Sequence, residues 1–336
     1  MTHPEPDSII ERHISFFLKE GFWSGVKPDF TRFSSNYWLQ PAYGSLFEEI
    51  VFSKKDGDRE VSFTRDGMIR YSDPGLLDEI DEKFYTRVEK YGAILNALLM
   101  VVVSQITEDS KMLHHDYFEL THLDIISSSR QKSGLGAMGI PSKSATNAQL
   151  QKRFLTYVPH NMVDSIDAYA EGSISGRPVI PIETLERAAD KFFAATRTDY
   201  STKLLSRTNK ALSEYASASF SDAVIICWTQ VEIYLYEKMQ EYAATHADRF
   251  PSKRKKGLRD LTSSETIELL EVAGLLNIDE YAQINKIRKT RNKIIHEGAA
   301  ASVEDANDAL KLVGSIITLK TGQDINLALG IRMSLF

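Results

Sequence analysis

From Leu76 onward the apolar residues of this chain recur at helical spacing, through Leu77, Ile80, Phe84, Val88, Tyr91 and Leu95 to about Ile106. Residues three and four apart share one face of a helix, so this stretch predicts a long amphipathic segment. Before it the period is shorter. Phe47 to Ser53, Glu60 to Thr64 and Met68 to Tyr71 are β-rich runs separated by Asp56-Gly57-Asp58 and Asp66-Gly67. They predict a small antiparallel meander over about residues 46–72. The opening stretch carries many aromatics (Phe16, Phe17, Phe22, Trp23, Phe30, Phe33, Tyr37, Trp38) among Gly and Pro, and reads as a short helix plus irregular packed segments. A further helix is expected from Lys111 to Ile126. Ser127 to Thr146 and Glu171 to Pro181 read as loops, the second joining two domains near residue 180.

Beyond that boundary the pattern predicts helices over Glu183–Thr196, Ser201–Ala218, Ser221–Ala244, Ser263–Ala273 and Asp279–His296. Gly298 stops the last of these, and Ser302-Val303-Glu304-Asp305 opens another in the manner of a capping box. The expected class is therefore mainly α: a C-terminal helical bundle over 179–336, preceded over 1–178 by an α+β region that holds the meander and helices within about 76–170.

A length of 336 residues suits two domains, and 43% hydrophobic with 26% charged content lies in the ordinary range of folded soluble chains. The first residues lack the basic start and apolar core of a signal peptide, and no run of eighteen apolar residues follows. No membrane association is expected. The single cysteine, Cys227, in an apolar run suits a reducing compartment and a small-hydrophobe role, which places the protein in the cytoplasm. A net charge of −6 argues against coating nucleic acid by bulk electrostatics. Two local clusters could still meet phosphates: Lys253-Arg254-Lys255-Lys256 with Arg259, and Lys286, Arg288, Lys289, Arg291 and Lys293.

The second cluster lies on the helix that starts near Asp279. There Tyr281, Ile284, Ile287, Ile294 and Ile295 can form a core-facing stripe, leaving Lys286, Lys289, Asn292 and Lys293 addressable. Arg291 and His296 are five positions apart, about 140° around an ideal helix, so they do not share a face. A joint role needs either a departure from helical geometry near Glu297-Gly298 or a second protomer that supplies the matching group.

Arg291-Asn292-x-x-x-His296 resembles the Arg, polar residue, spacer, His motif of the HEPN superfamily. Ala211-Leu212-Ser213-Glu214-Tyr215, Ser221-Asp222-Ala223 and Trp228-Thr229-Gln230-Val231-Glu232 resemble the first two helices of such bundles, especially those of the Apea-like branch. The resemblance covers roughly the last 150 residues. It implies a four- or five-helix bundle that dimerises and acts as a metal-independent endoribonuclease in toxin, abortive-infection or antiviral systems. Transfer RNA is a common target there, and a trigger or neutralising protein a common partner. No cofactor and no metal is implied.

The residue types suit that chemistry. A base must take the proton of a ribose 2′-hydroxyl, an acid must protonate the leaving oxygen, and a cation must steady the phosphate. Imidazole can serve either proton role. Arg291 offers a planar fork matched to phosphate oxygens, and Asn292 neutral hydrogen bonds to phosphate or ribose. Lys253, Arg254, Lys255, Lys256, Lys289 and Lys293 are candidate RNA contacts, although the first four also read as a solvated loop. Glu232 sits in a nearly all-round apolar helix and is expected to pair with an arginine of the motif helix as structural support.

Plainer readings stand beside these. Arg291 could pair with a carboxylate while His296 complements the helix dipole, and the protein could be a non-catalytic RNA-binding or scaffold protein. Gly134-Leu135-Gly136-Ala137-Met138-Gly139 matches a dinucleotide-binding glycine pattern, but no buried strand is expected before it and Pro141 interrupts the helix after it, so it reads as a loop. His115, Glu119 and His122 would share a helical face that could ligate a metal, and a solvated surface is the simpler meaning.

Overall fold

A computed structural model describes residues 9–18, 21–27, 49–77, 84–110, 117–121, 124–131, 177–246 and 261–327. The protein is mainly α with an N-terminal α+β region, and it divides into two compact units. One holds the described residues up to 110 together with 120–131 and 177–196; the other holds 117–119 and 197–327. The division therefore falls at Thr196 and Arg197 rather than near residue 180.

The first unit is built on a five-stranded antiparallel sheet of order β3-β4-β5-β1-β6, with β1 Ile9–Phe16, β3 Ile50–Asp56, β4 Arg59–Thr64, β5 Ile69–Ser72 and β6 Ile126–Gln131. The expected meander is β3 to β5. Gly57 turns the first hairpin at φ +62. Gly67 turns the second at φ +83, and a Cβ there would lie 2.6 Å from the Phe22 carbonyl oxygen, so glycine is required twice over. Two short strands, β2 Trp23–Ser24 and β7 Val179–Ile180, pair in parallel. Helix α1 Pro74–Leu77 follows β5, and α2 Phe84–Ser110 and α3 Ile182–Ala195 pack on each other. Ion pairs from Arg187 to Asp109 and Lys191 to Glu108 join α2 to α3, and Lys54 reaches Asp190 at 2.6 Å to bring α3 over the edge strand β3.

Four expectations change here. Residues 9–16 form a central strand, within an opening stretch expected to hold only a short helix and irregular segments, and Ile14, Ser15 and Phe16 are all buried. Glu11, Arg12 and His13 break the apolar alternation, and the strand is fixed by neighbours far away in sequence. Ile126–Gln131 pairs with β1 as β6 instead of opening a loop. The stretch expected as a linker supplies β7 to the first unit. Tyr117–Thr121 is extended, not helical: the Asn96 side chain accepts from Leu120 N at 2.8 Å and donates to its carbonyl at 3.0 Å. Side-chain amides satisfy this backbone, a device that apolar spacing cannot reveal. The Gly134–Gly139 pattern lies outside the described residues.

Helix α2 contains Glu89–Asp109, which has the length and hydropathy of a membrane span, but 67% of the window is buried within the protein. Among the described residues it is the one such helix.

His13 provides a test of the sheet. Its ring is 9% exposed, and Nδ1 accepts from Arg70 Nη2 at 2.7 Å. Burial, and then the Arg70 charge, hold its pKa down from 6.5 to about 3. The unfolded chain therefore binds more protons than the folded one between these values, and stability present above pH 6.5 is lost as pH falls toward 3. From pH 7.5 to pH 5 the expected loss is about 2 kcal/mol. Urea unfolding should show this loss in the wild type and not in His13→Gln; equal losses in both would remove His13 as its source.

The described residues of the second unit form a bundle of five helices: α4 Asp199–Ala216, α5 Phe220–Thr245, α6 Ser263–Val272, α7 Ile278–Glu297 and α8 Val303–Thr321. Capping boxes start four of them, at Thr198 with Ser201, Thr262 with Glu265, Asn277 with Glu280, and Ser302 with Asp305. Helix α5 packs against all four others. It buries Val224, Cys227, Trp228, Val231, Tyr234, Leu235 and Met239, each large side chain contributing about 1.5–3 kcal/mol of transfer free energy. Burial pushes the Cys227 thiol pKa up, so the residue stays a neutral core group.

Candidate functional site

Helix α7 carries the site. Its N-terminus is closed by the Asn277 side chain and has Asp279 and Glu280 in its first turn, the sign that complements the helix dipole there, while His296 lies in its last turn. Ile284 and Ile287 are buried against the bundle. Lys286 pairs with Asp308 at 2.5 Å and Thr290 donates to Asp305 at 3.4 Å, both bonds tying α7 to α8. Asp305 and Asp308 carry no sequence signal for this beyond following the Ser302 cap at helical spacing.

The core stripe is shorter than its sequence pattern. Ile295 lies eleven positions after Ile284, about 20° away around an ideal helix, yet it is 48% exposed. Ile294 is half-buried, and His296 and Glu297 are exposed. The final turn stays helical through Glu297, and Gly298 closes it in the left-handed conformation at φ 67, its N–H donating to the Lys293 carbonyl. Ala299 N donates to the same oxygen at 3.2 Å, and Ala301 N donates to Ser221 Oγ at 2.9 Å, which anchors the following loop to the start of α5. A frayed helix end at His296 is therefore not the means by which it meets Arg291.

Arg291 is half-buried and its Nη1 donates to Asn292 Oδ1 at 3.0 Å. Lys289, Lys293 and His296 are exposed. Among the described residues, none of these three has an ion-pair or hydrogen-bond partner through its side chain, whereas Lys286 is neutralised by Asp308. On an ideal helix Asn292 and His296 lie four apart, Lys289 and Lys293 four apart, and Lys289 and His296 seven apart. The exposed side of the last two turns thus gathers two unneutralised ammonium groups and an imidazole, with the arginine fork held beside Asn292. Such a surface can bind a phosphate chain and place a proton-transfer group next to it.

Glu232 differs from expectation. It is half-buried, and its carboxylate accepts from Ser263 Oγ at 2.6 Å rather than from an arginine of α7. The half-exposed position leaves enough water for a neutral hydroxyl partner to suffice. The helical premise of the His115, Glu119, His122 face also fails at Glu119, which is extended and pairs with Lys210 at 3.1 Å. His115 and His122 lie outside the described residues, as do Lys253, Arg254, Lys255 and Lys256. Among the described residues no cluster of His, Cys, Asp and Glu could hold a metal ion. No protein-family model, curated protein or solved structure matches the chain.

Proposed function

We propose that this protein is a metal-independent endoribonuclease of HEPN type, a cytoplasmic toxin or antiviral effector that works as a homodimer through its C-terminal bundle. The observation that supports the reading is the end of α7, where Arg291, Asn292 and His296 stand beside Lys289 and Lys293, exposed and unpaired among the described residues. Lys289 and Lys293 hold the RNA chain, and Arg291 clamps the scissile phosphate. A base takes the 2′-hydroxyl proton, the O2′–P bond forms as the P–O5′ bond breaks, and an acid protonates the departing 5′ oxygen. His296 fills one of these proton roles, and its counterpart in the second protomer fills the other. The products are a 2′,3′-cyclic phosphate and a 5′-hydroxyl. Transfer RNA is the substrate to try first, and the N-terminal unit is assigned the response to a trigger or a neutralising protein.

Mapping RNA ends left by the wild type and by Arg291→Ala tests this. Cyclic-phosphate ends that form in chelator, depend on Arg291 and recur at fixed positions are expected. Identical RNA from both proteins, with candidate triggers supplied, would defeat the reading. A second reading is a non-catalytic RNA-binding protein, favoured by the regular helix that leaves Arg291 and His296 about 140° apart in one chain. It predicts salt-sensitive binding lost in Arg291→Ala, retained in His296→Ala, and RNA that stays intact.

A further inference from the structure

Arg291 and Asn292 are adjacent on α7, and adjacent helical positions diverge by about 100° and do not ordinarily face each other. The hydrogen bond of 3.0 Å between Arg291 Nη1 and Asn292 Oδ1 therefore requires the arginine side chain to curl around the helix. It curls toward the side that carries His296, because Asn292 and His296 are four residues apart. The acceptor must be the carbonyl oxygen of the amide, since a guanidinium has donors only. The contact is half-buried, which shelters a charge-assisted bond from water.

From this geometry we propose that Asn292 is a positioning residue, which turns the Arg291 fork onto the His296 side so that one helix of one protomer presents cation and imidazole to the same phosphodiester. The proposal rests on the nuclease reading and alters one of its assignments. Asn292 acts through Arg291, not as a separate contact to phosphate or ribose. It also answers the angular mismatch within a single chain: the side chain covers around the helix what the backbone does not.

A double-mutant cycle on RNA affinity tests it, with a 2′-O-methyl RNA oligonucleotide whose blocked 2′ oxygens cannot attack. Asn292→Ala is expected to weaken binding about fivefold and Arg291→Ala about tenfold, with the double variant no weaker than Arg291→Ala alone. Factors that multiply would mean that Asn292 touches RNA itself, and would overturn the proposal. A second readout needs no RNA. NMR of the Arg291 guanidinium should show slow rotation about the Cζ–Nη1 bond in the wild type and in Asn292→Asp, and fast rotation in Asn292→Ala. Equal rotation in wild type and Asn292→Ala overturns the positioning role whatever the binding data show. If Arg291→Ala changes neither RNA affinity nor cleavage, the nuclease reading fails, and the guanidinium rotation alone then decides whether Asn292 holds Arg291.

Discussion

Replacing His296 with alanine is expected to lower RNA cleavage by about 10²- to 10⁴-fold, the usual worth of a positioned proton-transfer group. Unfolding free energy should stay within about 0.5 kcal/mol of the wild type. The separation of the two effects follows from exposure: the ring stands in water, without a hydrogen-bond partner among the described residues, and Gly298 rather than His296 closes the helix. Cleavage rates on one RNA, measured beside urea unfolding of both proteins, check the pair of expectations. An alanine variant that cuts as fast as the wild type removes His296 from the chemistry. One that loses activity and several kcal/mol together assigns it to the fold instead.

Trp228→Ala should have the largest effect on stability, a loss of about 3–5 kcal/mol. Trp228 is 2% exposed on α5, the helix that the four other described helices of the bundle contact. Its removal would leave a large void, and a close-packed interior relaxes only partly into such a space. Against the 5–15 kcal/mol that holds an ordinary domain folded, this is enough to depopulate the native bundle at growth temperature. Circular dichroism during urea unfolding is the suitable measure, because the substitution also removes a fluorophore. A loss under about 1 kcal/mol would mean that the centre of the bundle lies elsewhere.

The helices of the C-terminal half were legible because their signals are local. Ser302 with Asp305 announces a helix start within four residues, and Gly298 announces a stop; the structure adds boxes of the same kind at Thr262 with Glu265 and Asn277 with Glu280. The strands of the meander were legible for the same reason, through Gly57 and Gly67. What escaped depends on distant partners. Strand β1 is held by β5 and β6 from either side, and Tyr117–Thr121 is held by amide side chains of Asn96 and Asn209. No window of neighbouring residues contains that information.

The candidate site divides in the same way. Arg291, Asn292 and His296 could be nominated from spacing and residue type, and their angular mismatch could be computed from helix geometry alone. The curl of Arg291 toward Asn292 could not, because a side chain with several rotatable bonds chooses among acceptors that only the fold supplies. The exposure of Ile295 was equally hidden: its angle on the helix matches that of Ile284, yet 48% of it is exposed while Ile284 is buried.

The three residues Tyr117–Glu119 have a consequence for how the protein can be taken apart. They join the second unit although the chain before and after them belongs to the first. Phe118 offers its carbonyl to Asn209, which is fully buried, at 2.8 Å, and Glu119 N donates to Ser213 at 3.1 Å. The chain thus lends the bundle three residues long before it builds it. Topologically the units are interleaved, not strung in series, and no single scission separates them. A fragment starting at residue 197 would lack the Phe118 carbonyl that Asn209 donates to and the Glu119 N–H that Ser213 accepts, so a gene fusion or recombination that moved the bundle alone would leave this clip behind.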